Sequence, residues 1–224
     1  MFDVTAWTNA LKAHLTPHAD KDLAGPMAAY MKNHFPFMGI KAPHRKVLFQ
    51  EFCKHTSLPS IDHLTEVVKA LYDLPEREYQ MVAVLLVKKM RRQLSPAHQD
   101  LLWMMITEKS WWDTVDDIAS NLVGYVLQRS PEYIQDWNSE MIHSDNLWLR
   151  RTALLFQLKY KDQLDENLLF QNIRQTAHET DFFIRKAIGW ALRQHSKQAP
   201  DHVRRFMTTV DLSPLSVREG SKYL

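Results

Sequence analysis

The stretch Ser110-Trp111-Trp112-Asp113-Thr114-Val115-Asp116-Asp117 sets two indoles and three carboxylates within eight residues. On a helix turning about 100° per residue, Trp111, Val115, Ile118 and Leu122 share one apolar side. Asp113 and Asp117 fall on the opposite, solvated side, and Trp112 and Asp116, four apart, lie together on the flank between the two. The plainest reading is a helix capped by Ser110, with acids favoured in its first turn by the helix dipole and both tryptophans in the core. An indole one turn from a carboxylate is nevertheless an odd pairing for a boundary position, and the remaining chain reads as its mounting.

Outward from this stretch, proline rather than glycine divides the chain. Pro43, Pro59, Pro75, Pro96, Pro131 and Pro200 each open a segment of helical periodicity, where a missing N–H costs nothing. The periodicity predicts helices over 3–15, 21–34, 43–55, 61–72, 75–91, 96–107, 112–128, 131–138, 147–159, 165–175, 182–195 and 200–210, with a short one from Ser216. Strand-like alternation occurs only in fragments, so the fold class is all-α. Helix starts at Arg77, Ser110, Leu147 and Phe182 recur at intervals of 33, about 36 and 35 positions, each with an aromatic near the start and a shorter helix following. Paired helices repeating in the thirties predict a solenoid of stacked hairpins, here one domain over residues 1–224 with a concave face. In such a stack Trp112, Asp116, Arg151 and Trp190 lie on repeat-related helices and converge on one groove.

Composition removes several function classes. The chain of 224 residues has 45% hydrophobic and 24% charged residues, ordinary for a globular protein. Its 5 scattered glycines argue against a Gly-rich phosphate loop and against a turn-rich β fold. A formal net charge of +2 means that any nucleic-acid surface has to come from local clustering of Lys and Arg. The single cysteine, Cys53, cannot form an intrachain disulfide and reads as a small core residue in a reducing compartment. Residues 1–12 lack the pattern of a secretion signal and no run of eighteen apolar residues occurs, so a soluble, cytoplasmic protein is expected. His14 and His18 have helical spacing, but Pro17 interrupts them and no third ligand is near; no metal and no cofactor are expected.

Two further anomalies carry chemistry. Arg151 sits on the apolar side of its helix with Leu147, Leu154 and Leu158, an expensive place for a guanidinium unless it meets an acid such as Asp116 or grips a ligand phosphate. In Phe182-Phe183-Ile184-Arg185-Lys186-Ala187-Ile188-Gly189-Trp190-Ala191-Leu192-Arg193, Lys186 and Arg193 form a basic stripe beside Trp190. Gly189 in mid-helix costs roughly 1 kcal/mol against alanine and implies the close approach of another backbone. His195, Lys197, Arg204 and Arg205 continue the basic run, opposed only by Asp201. Cations interleaved with an exposed aromatic suit a phosphodiester backbone.

Taken in order, Met27-Ala28-Ala29-Tyr30, Gly39-Ile40-Lys41-Ala42-Pro43, Leu74-Pro75-Glu76-Arg77-Glu78-Tyr79-Gln80, Lys109 through Asp116, Trp148-Leu149-Arg150-Arg151, Ala187-Ile188-Gly189-Trp190 and Leu215-Ser216-Val217-Arg218-Glu219 resemble the AlkD family of DNA alkylpurine glycosylases. The resemblance implies a HEAT-like helical solenoid and excision of N3- and N7-alkylated purines from double-stranded DNA. It puts the catalytic aspartate on Asp116, two active-site tryptophans on Trp112 and Trp190, and the active-site arginine on Arg151. It also puts DNA contacts on Tyr30, Lys159, Arg193 and Lys197, to which the basic stripe adds Lys186. Lys41 departs from the family pattern, which more often carries glutamine in that turn, and it is expected to contact DNA there. The implied protein is a monomer without a membrane partner, associating with the nucleoid when it acts. A non-catalytic HEAT-like DNA- or protein-binding module is the alternative; it needs the basic stripe but not Trp112, Asp116, Arg151 and Trp190 together.

Overall fold

The computed structural model describes residues 2–224. Fourteen α-helices and no strand lie among them, so the chain is all-α. It forms two compact units, one ending at Leu94 and one from Ser95 to Leu224.

The first unit holds α1 (Val4–Leu15), α2 (Lys21–Tyr30), α3 (Ala42–His55), α4 (Ile61–Asp73) and α5 (Arg77–Met90). Trp7, Leu11 and Leu15 of α1, spaced by one turn, are buried with Leu64, Val67, Val68 and Leu71 of α4 and with Val82, Leu86 and Val87 of α5. Helices α1 and α4 start where Asp3 and Ser60 sit in extended conformation, and the Asp3 carboxylate accepts from the Ala6 amide at 2.8 Å. Helix α2 stops at Tyr30, short of the expected His34, because Lys32 and Asn33 turn into the left-handed region at φ 58° and 57°. The loop that follows is clamped from beneath by Glu78, a fully buried carboxylate that accepts from the amides of Met38, Gly39 and Ile40 at 3.0, 2.9 and 3.0 Å. Gly39 is obligatory in this loop: its φ is 92° and a Cβ there would lie 2.0 Å from the Asp20 carbonyl oxygen. Half-buried Cys53 has its thiol pushed up by burial, in keeping with a packing role rather than a nucleophilic one.

The second unit holds α6 (Gln99–Thr107), α7 (Trp112–Ile118), α8 (Gly124–Arg129), α9 (Ile134–Ile142), α10 (Leu147–Leu155), α11 (Glu166–Thr176), α12 (Phe182–Ser196), α13 (Pro200–Met207) and α14 (Pro214–Gly220). Helix α10 is the pivot, touching α6, α7, α9, α11 and α12, and α14 packs along α12. Leu154, Leu155, Ile173, Ile184, Ile188, Leu192 and Phe206 belong to the shared core, where the rings of Phe170 and Phe206 stack at 3.9 Å. Asn138 and Asn172, 34 positions apart, exchange side-chain hydrogen bonds of 3.0 and 2.7 Å in the buried seam, and Asn172 also donates to the Ala153 carbonyl. A polar pair at that separation is what two helices in equivalent positions of neighbouring hairpins produce.

The continuous helix expected over 112–128 is broken. A π-helical turn, Ala119–Val123, follows α7, and α8 resumes at Gly124. Gly124 lies so close to the chain at Phe156 that a Cβ would stand 2.1 Å from the Phe156 carbonyl oxygen, and the buried Tyr160 hydroxyl donates to the Gly124 carbonyl at 2.8 Å. Single π turns inside helices are frequent at functional sites, and this one begins three residues after Asp116. Pro59 and Pro75 stand in connections two residues ahead of α4 and α5 rather than in their first turns, and α9 runs on to Ile142 past the expected 138.

Candidate active site

Helix α7 begins at Trp112, as expected, but with a different cap. Ser110 is not its cap; the Ser110 hydroxyl donates back to Ile106, and Trp111 occupies the cap position in extended conformation (φ −159°, ψ 160°). The preceding residue, Lys109, reaches this turn with φ 44°. The two neighbouring indoles therefore part. Trp111 packs edge-on against Phe183, with ring centroids 4.9 Å apart, and beside Trp148 at 5.6 Å, whereas Trp112, the first helical residue, faces a pocket of about 270 Å³. Asp116 is one turn further on and lines the same pocket.

Arg151 of α10 meets Asp116 as a two-toothed fork: Nε donates to Oδ1 at 2.7 Å and Nη2 to Oδ2 at 2.9 Å. Its Nη1 donates to the Phe183 carbonyl, tying α7, α10 and α12 together. Arg151 is only 4% exposed. Of the two partners the sequence offered this guanidinium, which do not exclude each other, the structure shows the acid, gripped by a largely buried fork. Burial raises the Asp116 carboxyl above its usual range, the Arg151 hydrogen bonds and charge pull it part of the way back, and Asp113 and Asp117 push it up again.

The opposite wall comes from α12, started by the Asp181 carboxylate, which accepts from the Phe183 amide at 2.6 Å. Trp190, Lys186 and Arg193 line the pocket along this helix, as does Phe182, 57% exposed at its N-terminus. Gly189 does what a mid-helix glycine is for: a Cβ there would lie 2.5 Å from the Glu219 Cβ and 3.0 Å from the Ser216 carbonyl oxygen, so it admits α14. Glu219, carried in by α14, is the residue sequence reasoning missed. Its carboxylate binds Lys186 at 3.1 Å, Arg193 at 3.2 Å and Lys222 at 2.8 Å. The mid-helix glycine pointed to a close neighbour, but nothing local identified which residue that neighbour was.

Trp112, Asp116, Arg151 and Trp190 thus come together, with Lys186 and Arg193 at the rim. Lys197 and Lys159 do not line the pocket: exposed Lys197 donates to the Gln194 side chain at 2.9 Å above the Tyr223 ring, and exposed Lys159 donates to Asn121. Tyr30, 71% exposed at the end of α2, and exposed Lys41, at the cap of α3, belong to the first unit. The basic run beyond Trp190 is opposed by more than Asp201: buried His195 is turned inward onto Glu166 at 2.5 Å, and His202 meets the same carboxylate at 3.0 Å. Among the described residues no group of three or more His, Cys, Asp or Glu side chains gathers to hold a metal, and no helix is long and apolar enough to cross a membrane.

The site is therefore a buried acid gripped by an arginine, walled by two indoles and rimmed with cations, all carried on paired helices. The profile of the DNA alkylation repair enzyme family matches residues 11–224, and the chain belongs to that family. Among solved structures, it is similar to one from Enterococcus faecalis described as a predicted DNA alkylation repair enzyme, at 35% identity, with 92% of this chain and 96% of that one covered and a TM-score of 0.86. Two Streptococcus mutans structures, smu.31 (18% identity, 79% of this chain, 90% of that one) and AlkD2 (17% identity, 79% and 88%), both at a TM-score of 0.61, share the fold. No curated protein matches the chain.

Proposed function

We propose that the protein is a monofunctional DNA glycosylase that hydrolyses the N-glycosidic bond of positively charged N3- or N7-alkylated purines in double-stranded DNA. The observation that carries the reading is the Asp116 carboxylate, held in both oxygens by Arg151 in a pocket walled by Trp112 and Trp190. A cationic alkylpurine is already a good leaving group. The C1′–N bond breaks with its electron pair going to the purine, which leaves neutral without a general acid. Positive charge then builds on the deoxyribose in an oxocarbenium-like state of the kind met in glycoside hydrolysis. An ionised Asp116 stabilises that charge from a fixed position and orients the water that adds to C1′, whose proton passes to solvent. Trp112 and Trp190 turn electron-rich faces to the cationic nucleotide at about 0.5–2 kcal/mol per contact. Lys186 and Arg193 hold the backbone, and Tyr30, Lys41, Lys159 and Lys197 extend the DNA contact in a chain acting as one domain and as a monomer.

The deciding experiment is release of 7-methylguanine from methylated duplex by Asp116→Asn beside the native protein. Because the substitution removes charge from a site where charge stabilises the transition state, release falls about a thousandfold or more while duplex binding persists. Release at the native rate takes Asp116 out of the mechanism. No release by the native protein itself favours the non-catalytic binding module, which has no use for a buried acid.

A further inference from the structure

Glu219 lines the pocket of Asp116, yet the proposed hydrolysis gives it nothing to do. Its surroundings resemble those of a bound phosphate more than those of a surface acid. Three cationic heads converge on one carboxylate: Lys186 on Oε1, and Arg193 and Lys222 on Oε2. Two of these three, Lys186 and Arg193, are the pocket's own rim.

The anion and the cations differ in freedom. Glu219 is 7% exposed and its Cβ is pressed against Gly189, where α14 and α12 pack without an intervening side chain. The carboxylate therefore has a fixed address. Lys186, Arg193 and Lys222 carry long side chains that are 37%, 27% and 48% exposed, so their heads can swing outward. A duplex reaching the rim meets cations already engaged with an anion, and its phosphate exchanges one charge-assisted contact for another.

We propose that Glu219 is an internal competitor of DNA phosphate: it holds Lys186 and Arg193 in the free protein and thereby keeps affinity for undamaged duplex low. The inference rests on the reading of this pocket as a DNA-repair site. Its physical core is counting. Three cations and one carboxylate leave a net +2 in this cluster, where three uncompensated cations would leave +3. Each additional phosphate neutralised by a freed cation releases counterions and steepens the dependence of log K on log salt by about 0.9. The depressed ionisation of Glu219, held at about 2 chiefly by the Lys222 and Lys186 hydrogen bonds, agrees with an acid that remains an anion whenever DNA is present.

The test is binding of an undamaged duplex oligonucleotide, by fluorescence anisotropy over a series of salt concentrations, to the native protein, Glu219→Gln and Glu219→Asp. Glu219→Gln is expected to bind about tenfold tighter at low salt with a slope steeper by about one, and to discriminate less between methylated and undamaged duplex. Glu219→Asp keeps the charge but draws it back by one methylene, and is expected to bind about threefold tighter. A structural platform predicts the opposite sign, because cations without their support bind worse. Equal or weaker binding by Glu219→Gln overturns the proposal, and should that variant fail to fold, equal or weaker binding by Glu219→Asp does so. Base release by the native protein is measured in parallel: its absence sinks the glycosylase reading and leaves the affinity comparison to judge Glu219.

Discussion

Asp116 and Glu219 line the same pocket and have been pushed in opposite directions. Asp116 is raised, burial outweighing its single guanidinium, and Glu219 is lowered to about 2 by hydrogen bonds from Lys222 and Lys186, which outweigh its desolvation. The two differ both in how deeply the carboxylate is desolvated and in how many cations it meets. Asp116 has one cation, which lies behind it and is buried; Glu219 has three, all reaching to solvent. A carboxylate with one rear support keeps a face for a cationic sugar. One ringed by cations is chemically quiet and acts through the groups it holds.

The harshest way to break the contrast is to take away the single support. Arg151→Ala leaves the Asp116 carboxylate buried without its counter-ion, a change that costs about 3–5 kcal/mol of stability. Losing the Arg151 hydrogen bonds moves the Asp116 carboxyl further up, so more of it is protonated at a given pH. The acid limb of base release accordingly shifts to higher pH. Urea unfolding and a pH–rate profile check the two halves. Asp116→Ala combined with Arg151→Ala destabilises less than the two single changes added, because the double variant leaves no lone charge behind. A strictly additive pair would mean that the fork is ornamental.

A milder break separates the place of Glu219 from its charge. Gly189→Ala sets a methyl group 2.5 Å from the Glu219 Cβ, and α14 has to retreat from α12. Overpacking of this kind costs about 1–3 kcal/mol, read from the unfolding midpoint. The carboxylate survives but is drawn from Lys186 and Arg193, so undamaged duplex binds more tightly than to the native protein, in the same direction as Glu219→Gln.

The contrast was only half legible in the sequence. Asp116, Trp112, Arg151 and Trp190 betray themselves locally, since a helical wheel needs only neighbours three and four residues away to show a polar group among apolar ones. Helix existence follows from the same periodicity, and every expected helix is present within a few residues. What the wheel misses is register and partnership. It carries Trp111 into the helix, whereas the left-handed Lys109 leaves Trp111 extended. It runs smoothly through Ala119–Val123, where close approach of the Phe156 carbonyl to Gly124 accompanies a π turn. Glu219 on its own helix is an unremarked acid beside Arg218; its meaning comes from three cations, two of them about thirty positions away on another helix. His195 reads as one more cation until Glu166, 29 positions earlier, is brought against it. Local patterns expose misfits; only packing assigns their partners.

The gentlest test uses pH alone, and the two acids answer it with opposite signs. Glu219 has a folded value near 2 against an ordinary 4.5, so it stabilises the folded state fully above about 4.5, and that contribution drains away as pH falls from 4.5 toward 2. Asp116 has a folded value above its ordinary 3.8, so the folded state holds its proton more tightly than the unfolded chain. Its contribution to stability therefore improves as pH falls through the folded value toward 3.8. In urea unfolding followed as a function of pH, Glu219→Gln flattens the loss between 4.5 and 2, leaving a shallower acid limb than the native protein's. Asp116→Asn removes the opposing gain, so stability begins to fall at a higher pH. If both substitutions change the acid limb in the same direction, the two carboxylates are alike, and the division between a reactive acid and an internal counter-ion fails.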